Sequence, residues 1–304
     1  MTTATARYVL GGGIAGLIWA WHHSDDVVVA ESPGGASASR LPIGPRYLHV
    51  TDAVGAFLDG LGFARGEERW ASAGGVPVDA HGVGCYMLKT RGVYDLRAEG
   101  QAALTSRHRV YASPTLEDVT ARLLELLRPR VRVERVLSVC PERREFATAA
   151  GVSSYASLVN TVPLPMFLRL LDCDGPVMGG SYLKIPVRFD HHRLRGPWPW
   201  GGDDYVYVSS LSVPYSRATR VTVGGNEYVC LEYPGADVAA SPAPESDWLG
   251  SREASVVFPY GRVVSRPMPD AAVKWFAARG IEHFGRFAEW QDHYLSHHLI
   301  GRLQ

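Results

Sequence analysis

The sequence predicts an α/β protein with two interleaved parts: a three-layer part built on a parallel sheet, and a smaller part with a mainly antiparallel sheet. Three observations predict this arrangement. A Gly-x-Gly-x-x-Gly turn stands between two apolar runs in residues 8–30. One helix pattern followed by two strand patterns occupies residues 114–162, and apolar and polar side chains alternate in residues 205–233.

The N-terminal stretch has the order strand, tight turn, helix and second strand. The turn carries Gly11, Gly13 and Gly16, and the second apolar run, residues 27–30, ends in Glu31. At such a turn a pyrophosphate can approach bare backbone at a helix N-terminus, where unpaired N–H groups face it. Glu31 stands about 20 residues past the first glycine, where an acid binds a ribose. The stretch therefore predicts a dinucleotide site, with a ligand-free glycine turn as the alternative.

Composition argues against several classes of partner. The 31 basic and 31 acidic side chains cancel, whereas nucleic acids and anionic membranes select for a basic surplus. No apolar run reaches the roughly 18 residues that a membrane span needs. The cysteines are far apart and follow no secretory signal, which predicts reduced thiols in a cytoplasmic protein. They are Cys85, Cys140, Cys173 and Cys230.

The first elements after Glu31 are a loop, a helix and a small sheet. Residues 32–52 are rich in Gly, Ser and Pro, which predicts a loop, and in a dinucleotide fold this loop runs along the cofactor. Residues 53–63 place apolar side chains on one helical face. Residues 74–96 predict short strands separated by turn residues.

The middle of the chain predicts a return to the parallel sheet. Residues 114–127 predict a helix with an apolar stripe and Ser113 as its N-cap. Residues 131–139 alternate like one half-exposed strand. Residues 157–160 predict a buried strand that ends in Thr161.

The following region predicts the antiparallel sheet. Gly, Pro and Trp crowd residues 175–204, which predicts loops over a pocket rather than helices. Trp198 and Trp200 either line that pocket or pack as core. Residues 205–233 alternate in a way that is typical of antiparallel strands.

The last third of the chain predicts an exposed connection over residues 235–254 and then a strand over residues 256–260, which brings Tyr260 to the pocket. A short helix over residues 271–279 follows. A short strand at residues 281–284 and an amphipathic helix close the chain.

Both ends of the chain resemble one family of flavoproteins. Residues 10–17, LGGGIAGL, together with Glu31 and the glycine pair at 34–35, resemble the FAD-binding start of the amine oxidase and UDP-galactopyranose mutase group. Residues 285–290, GRFAEW, resemble the C-terminal G-R-x-x-E-[WY] segment of the mutases. The resemblance implies FAD, in preference to NAD, as the cofactor of a Rossmann-like domain.

The resemblance also implies which residues bind FAD. The glycine turn meets the pyrophosphate, Glu31 meets the ribose, and Val136 belongs to a strand that passes the adenine. Thr161 ends the strand that returns to the cofactor. The implied FAD-binding residues are Gly11, Gly13, Ile14, Ala15, Gly16, Glu31, Ser32, Arg46, Val136, Thr161, Gly285 and Arg286.

Four residues are candidates for catalysis: His49, Arg217, Tyr260 and Arg286. Residues 44–52 are similar to the mutase segment that carries two histidines beside the flavin; the first of those positions is Arg46 here and the second is His49. Residues 214–217 resemble the segment whose arginine meets the diphosphate of the nucleotide sugar. The alternatives are a packed histidine at a strand end for His49 and a surface arginine for Arg217.

Two functions remain open. The mutases catalyse a reaction without net redox change, in which reduced flavin attacks the anomeric carbon of a nucleotide sugar through N5. Between Leu96 and Pro114, however, the chain has no room for the helical insertion that stacks the uracil in those enzymes. The alternative is therefore an amine oxidase-like oxidoreductase of a small metabolite, in which N5 of the flavin accepts a hydride.

The predicted FAD-binding domain is discontinuous, with residues 1–75, 105–165 and 256–304, and the substrate domain has residues 76–104 and 166–255. The expected partner is a small anionic substrate, without nucleic acid or membrane. The oligomeric state is open, with a homodimer as one option. His293, His297 and His298 have helical spacing but lack a third ligand in a known zinc pattern, so no metal site is expected.

Overall fold

The structure is a computed structural model of the 304-residue chain. It describes residues 6–35, 47–66, 68–71, 80–92, 108–111, 113–176, 184–235, 246–263, 268–291 and 296–304. The strands are β1 (Arg7–Leu10), β2 (Asp26–Ala30), β3 (Leu48–His49), β4 (Glu68–Ala71), β5 (His108–Tyr111), β6 (Val131–Val133), β7 (Val136–Cys140), β8 (Glu145–Thr148), β9 (Gly151–Ser154), β10 (Ser157–Asn160), β11 (Lys184–Leu194), β12 (Tyr205–Tyr207), β13 (Arg217–Val223), β14 (Asn226–Pro234), β15 (Leu249–Val263) and β16 (Ile281–His283). The helices are α1 (Ile14–His22), α2 (Asp52–Gly60), α3 (Ala80–Arg91), α4 (Leu116–Leu127), α5 (Leu164–Leu168), α6 (Asp270–Ala278) and α7 (Ser296–Leu303), with a short 3₁₀ turn at Arg128–Arg130.

A five-stranded parallel sheet positions the site. Its strand order is β16, β10, β1, β2, β6, and every neighbouring pair is parallel. The carboxyl ends of these strands therefore lie at one edge, where open α/β sheets bind their ligands. The glycine turn follows β1, Glu31 follows β2, Thr161 follows β10, and Gly285 stands two residues past β16.

Both faces of the parallel sheet are covered, which confirms the predicted three-layer α/β fold. Helices α1, α2, α4 and α7 cover one face, and their apolar stripes form a core with alternate residues of β1, β2 and β10. The other face packs against β7, β8, α5 and α6. A second sheet, with strand order β12, β13, β14, β11, β15, is antiparallel throughout.

Three tryptophans pack on one face of the antiparallel sheet. The ring centroids of Trp198 and Trp200 are 4.7 Å apart, and those of Trp198 and Trp248 are 5.7 Å apart. Edge-to-face contacts of this kind stabilise a core. Trp198 and Trp200 are thus packing residues. The interpretation of residues 175–204 as loops is wrong over Lys184–Leu194, which forms the long strand β11 between β14 and β15.

The prediction of short strands at residues 74–96 is wrong over residues 80–91, which form helix α3; residues 74–79 and 93–96 lie outside the described residues. The buried residues of α3 have helical spacing: Val83, Tyr86, Met87 and Thr90 lie on one side. Gly82 and Gly84, which disfavour helices, and the β-branched and aromatic residues among them concealed this pattern. Packing of the buried side against the antiparallel sheet overrides the weak helix propensity.

Three further expectations also need correction. Residues 131–139 form two strands in different sheets, β6 and β7, rather than one. Helix α4 begins after Thr115, whose hydroxyl accepts the N–H of Asp118 while the Asp118 carboxylate accepts the N–H of Thr115, so Ser113 is not the cap. β15 begins at Leu249, inside the expected connection. The discontinuous domain division stays a prediction; β15 runs across its boundary at residues 255 and 256.

Candidate active site

The glycine turn after β1 is held closely by its surroundings. Gly11 has φ +106°, and a Cβ there would lie 2.5 Å from Oγ1 of Thr161. A Cβ at Gly16 would lie 2.1 Å from the carbonyl oxygen of Gly11. The Thr161 hydroxyl lies 2.9 Å from the carbonyl oxygen of Leu10 and 3.1 Å from that of Gly11. Gly11 and Gly16 are therefore required by the turn itself.

Gly13 differs from these two glycines. Its backbone is extended, with φ −73° and ψ 176°, which any residue adopts. A Cβ there would meet no atom within 4 Å among the described residues. Packing therefore gives no reason for a glycine at this position. Gly13 is the N-cap of α1, so the unpaired N–H groups at the start of this helix lie beside open space, which suits an anion.

A cavity on one side of the turn has the features of an adenosine site. It measures about 490 Å³, and we call it the glutamate cavity. Glu31, Ser32 and Val136 line it together with Gly11. The Glu31 carboxylate lies 3.9 Å from Nε of Arg135 and is largely exposed, so it is accessible to a ligand hydroxyl. The residues expected around the ribose and adenine thus share one cavity.

A second cavity, of about 280 Å³, brings together residues from both ends and from the middle of the chain. We call it the tyrosine cavity because Tyr47, Tyr205 and Tyr207 form part of its wall. Ring centroids of Tyr205 and Tyr207 are 5.0 Å apart. The residues expected from the sequence that line it are Ile14, Ala15, His49, Thr161, Arg217, Gly285 and Arg286.

The C-terminal motif folds into a single tight turn. Gly285 has φ +105°, and its N–H donates to Oε1 of Glu289 at 2.9 Å. The same oxygen accepts a hydrogen bond from Arg302 at 2.6 Å. Trp290 is fully buried against Leu164. The first half of the motif therefore faces the tyrosine cavity, while Glu289 and Trp290 hold the turn in place.

Arg217 lines the tyrosine cavity and takes part in a buried polar cluster. Its NH1 lies 3.1 Å from Oε2 of Glu232, and its Nε donates to the Tyr86 hydroxyl at 3.0 Å. Arg262 donates to Oε1 of Glu232 and, at 3.3 Å, to the Tyr86 hydroxyl. We call these four residues the Arg217 cluster. Only the Arg217 side chain, at 21% exposure, is substantially accessible among its three charged members.

The ionisation of the cluster follows from its contacts. Burial opposes the charge of Glu232, but Arg217 and Arg262 outweigh it and hold the pKa of this carboxyl below its ordinary value. Burial also opposes the charge of Arg217, yet Glu232 raises the pKa of this guanidinium well above its usual range. The side chains of Glu232, Arg217 and Arg262 are thus all charged at neutral pH. Burial raises the pKa of Tyr205 and of Tyr207, so both phenols stay neutral.

Two histidines from different elements meet at the tyrosine cavity. His49 comes from β3 and His297 from the first turn of α7, and their ring centroids are 4.1 Å apart. The ring of His298 is tilted by 41° against that of His297, with the centroids 3.9 Å apart. His49 is therefore in a position to contact a ligand, and His297 is a second imidazole beside it that the sequence did not indicate. In the part of the chain that the structure describes, no group of three His, Cys, Asp or Glu side chains could hold a metal ion.

One expected site residue, Tyr260, lies elsewhere. Tyr260 does not line the tyrosine cavity; its ring lies under Nζ of Lys184, 4.1 Å from the centroid, and near Trp290. Arg46 lies outside the described residues. The three cavity tyrosines and Glu232 were not predicted as site residues. The alternation of apolar and polar residues predicted that Tyr205 and Tyr207 share one face of the sheet. It did not reveal that this face lines the cavity.

Comparisons with solved structures support the fold. The chain resembles reduced UDP-galactopyranose mutase, with 14% sequence identity and a TM-score of 0.73 over 99% of this chain and 92% of that one. It resembles a CLA-producing fatty acid isomerase from P. acnes, with 11% identity and a TM-score of 0.64 over 100% and 98%. It also resembles wild-type putrescine oxidase bound to putrescine, with 12% identity and a TM-score of 0.61 over 99% and 97%.

Identities this low establish only the fold. The comparisons confirm the fold that the resemblance of the two end motifs predicted. No protein-family model matches the sequence, and no curated protein sequence matches it. Among the described residues, no helix has both the length and the apolar character needed to cross a membrane.

Proposed function

We propose that the chain is an FAD-dependent enzyme that acts on a small anionic substrate. One observation carries the proposal: the open N-terminus of α1 at Gly13 lies between residues that line two cavities. Gly11 and Gly12 line the glutamate cavity, and Ile14 and Ala15 line the tyrosine cavity. A dinucleotide has this shape, with a diphosphate between two ring systems. The similar solved structures are named as a mutase, an isomerase and an oxidase, so all three are enzymes.

The residues present fit FAD. The N–H groups that follow Gly13 would hold the diphosphate. Glu31 would accept a hydrogen bond from the ribose, and Ser32 would donate one to it. Val136 would pack against the adenine. Arg286, next to the turn at Gly285, would add a positive charge on the diphosphate side. In this proposal the discontinuous domain around the parallel sheet binds the cofactor, and the antiparallel sheet forms the substrate wall.

When bound, FAD supplies a nucleophile in its reduced form or a hydride acceptor in its oxidised form. The protein side chains do the rest. Arg217 would orient an anionic group of the substrate, because a guanidinium offers a fork of donors to carboxylate or phosphate. The neutral tyrosines would exclude water from the reacting atoms. His49, with His297 beside it, would take up or release a proton.

The first reaction type is mutase-like, on a nucleotide sugar or a related anionic metabolite. It is supported by the positions of Arg217 and Arg286, which come from two separate sequence motifs and line the same cavity. Two guanidinium groups at one cavity suit a diphosphate. Such a reaction leaves the substrate and the flavin without net redox change.

The second reaction type is oxidation of a small metabolite, with hydride transfer to the flavin. It is supported by the size and wall of the tyrosine cavity, which measures about 280 Å³ within the described residues and includes the rings of three tyrosines and Phe287. Moreover, the charge of Arg217 is already partly balanced by Glu232, so this cavity is less strongly positive than its two arginines suggest.

Anaerobic turnover tests the proposal and separates the two reaction types. The holoenzyme would be mixed with candidate substrates in the absence of oxygen while the flavin absorbance is followed. A mutase-like enzyme works only with reduced flavin and regenerates it in each turnover. A substrate that bleaches oxidised flavin within a single turnover establishes the oxidoreductase. Absence of FAD from the purified protein, with failure to reconstitute it, contradicts both.

A further inference from the structure

We propose that Arg262 determines the charge of the substrate. Arg262 is not among the described residues that line the tyrosine cavity, but it gives the Arg217 cluster one excess positive charge. A single carboxylate group of the substrate balances this charge. This inference deepens the proposed function and rests on it, because it assumes that the tyrosine cavity receives the substrate.

The geometry of the cluster fixes how its charges are shared. Glu232 lies between two guanidinium groups, with Oε2 towards Arg217 at 3.1 Å and Oε1 towards Arg262. Ser216 donates a further hydrogen bond to Oε1 at 3.3 Å. Glu232 and Arg262 are only 5% and 8% exposed. Both are therefore desolvated, and their charges interact strongly.

The cluster contains two positive charges and one negative charge. Glu232 is the only acidic side chain among the described residues that forms an ion pair with Arg217 or Arg262, and its single carboxylate serves both. Tyr86 accepts hydrogen bonds from both guanidinium groups without adding a charge. A buried excess charge is unfavourable unless a partner compensates it. One compensating anion is thus missing from the described part of the cluster.

The excess charge is directed into the tyrosine cavity. Arg217 is the member of the cluster that lines this cavity. Its Nε and one terminal nitrogen are used by Tyr86 and Glu232, and within the described residues its second terminal nitrogen has no hydrogen-bond partner. The guanidinium also lies 5.1 Å from the ring centroid of Tyr207. A ligand that contacts Arg217 therefore meets one charge beside aromatic rings.

These features define a substrate class: a small organic acid with one carboxylate on an apolar or planar body. The tyrosines would pack against the body, and Arg217 would hold the carboxylate. Arg286 also lines the tyrosine cavity, but in the proposed function its charge meets the diphosphate of FAD, so it does not enter this balance. A nucleotide sugar carries a diphosphate, with more negative charge than the cluster lacks, so the inference favours the second of the two reaction types.

Isothermal calorimetry with three probes tests the inference on the wild-type protein. Benzoate carries one negative charge, benzamide is its neutral isostere, and UDP brings a diphosphate. We expect benzoate to bind about tenfold or more tightly than benzamide, and more tightly than UDP. Equal affinity for benzoate and benzamide overturns the inference, and so does preferential binding of UDP. This comparison needs no variant and so does not depend on the folding of one.

The Arg262→Met variant tests the role of Arg262 itself, with Arg262→Lys as the matched control. Methionine leaves a neutral Arg217–Glu232 pair, so we expect benzoate to bind roughly tenfold to a hundredfold more weakly while benzamide binding is unchanged. Lysine retains the charge and should restore most of the benzoate affinity. A purely structural role would instead weaken both probes together. Unchanged benzoate affinity in Arg262→Met overturns the inference.

The FAD content of the same samples separates this inference from the proposed function. The Arg217 cluster consists of side chains of this chain only, so its preference for benzoate persists if the protein proves not to bind FAD. In that case the proposed function falls and the anion site stands. A protein that binds FAD but does not distinguish benzoate from benzamide retains its proposed function and loses this inference.

Discussion

Gly285 lies against Ala15: a Cβ at residue 285 would be 2.8 Å from the Cβ of Ala15. The backbone of Gly285 also has φ +105°, a conformation that L side chains rarely adopt. This contact joins the start of α1 to the turn that follows β16. It brings the two ends of the chain to one cavity, and it leaves room for no residue larger than glycine.

We therefore expect Gly285→Ala to destabilise the protein by about 1–3 kcal/mol, through backbone strain and the contact with Ala15. Gly301→Ala is the matched control, because its Cβ would be at an ordinary 4.0 Å from the Cβ of Ala53 and alanine favours helix α7. Urea unfolding measures both free energies. A loss no greater for Gly285→Ala than for Gly301→Ala contradicts the packing described here.

Arg217→Ala should weaken binding of an anionic ligand by about 2–5 kcal/mol, because it removes the guanidinium that lines the tyrosine cavity. Arg220→Ala is the control: Arg220 lies on the same strand and pairs with Asp204 at 2.6 Å, but does not line the cavity. Titration calorimetry with benzoate compares the two variants. Equal losses, or none in Arg217→Ala, remove Arg217 from the binding site.

His283 should make the protein sensitive to acid. Burial lowers the pKa of His283 from 6.5 to about 3, and its Nδ1 is 3.0 Å from Nδ2 of Asn160. Between pH 6.5 and 3 the unfolded state binds a proton that the native state does not, so the free energy of unfolding falls as the pH falls. His283→Asn retains an acceptor for Asn160 without the titration. Urea unfolding at several pH values should give this variant the shallower slope; parallel curves contradict the assignment.

Lys89 should have the same kind of effect in the alkaline range. Its ammonium donates to the carbonyl oxygens of Val208, Ser210 and Tyr215 and so fixes α3 to the antiparallel sheet. Burial lowers the pKa of Lys89 from 10.5 to about 8. Between pH 8 and about 10 the unfolded state retains a proton that the native state has lost, so stability contributed by Lys89 rises with pH.

The measurement is the free energy of unfolding of wild type minus that of Lys89→Met, from pH 7 to pH 10. This difference should increase above pH 8, since methionine cannot titrate. A difference that is constant or that decreases over the interval shows that Lys89 titrates as an exposed lysine does. Carbonyl contacts of Lys89 would then not persist in solution.

The parts of the site that the sequence predicted depend on local geometry. The spacing of Gly11 and Gly16 matters because the tight turn after β1 and the first residues of α1 bring residue 16 onto the carbonyl of residue 11. Glu31 and Thr161 could be placed because each directly follows a strand of the parallel sheet. Such relationships need only the order of elements, which apolar runs and glycines reveal.

Other parts depend on register and packing between distant segments, which one sequence does not disclose. Glu232 meets Arg217 because β13 and β14 pair residue 217 with residue 232. Arg262 reaches the same carboxylate from β15, and Tyr86 reaches both arginines from α3. The misassignment of α3 as strands concealed Tyr86 in particular. Pairs of histidines such as His49 and His297 likewise arise only when β3 and α7 pack together.

FAD binding by the Gly13→Ala variant tests whether the N-terminus of α1 is a dinucleotide site. A Cβ at Gly13 meets no described protein atom, so the variant should fold like wild type, as should the control Gly60→Ala, whose Cβ also lies in open space. We expect wild type and Gly60→Ala to be purified with FAD, or to bind it on reconstitution, and Gly13→Ala to bind it at least tenfold more weakly, because the methyl group occupies the path of the diphosphate. If all three proteins bind FAD equally well, or if none binds it, the open N-terminus of α1 is not a dinucleotide site.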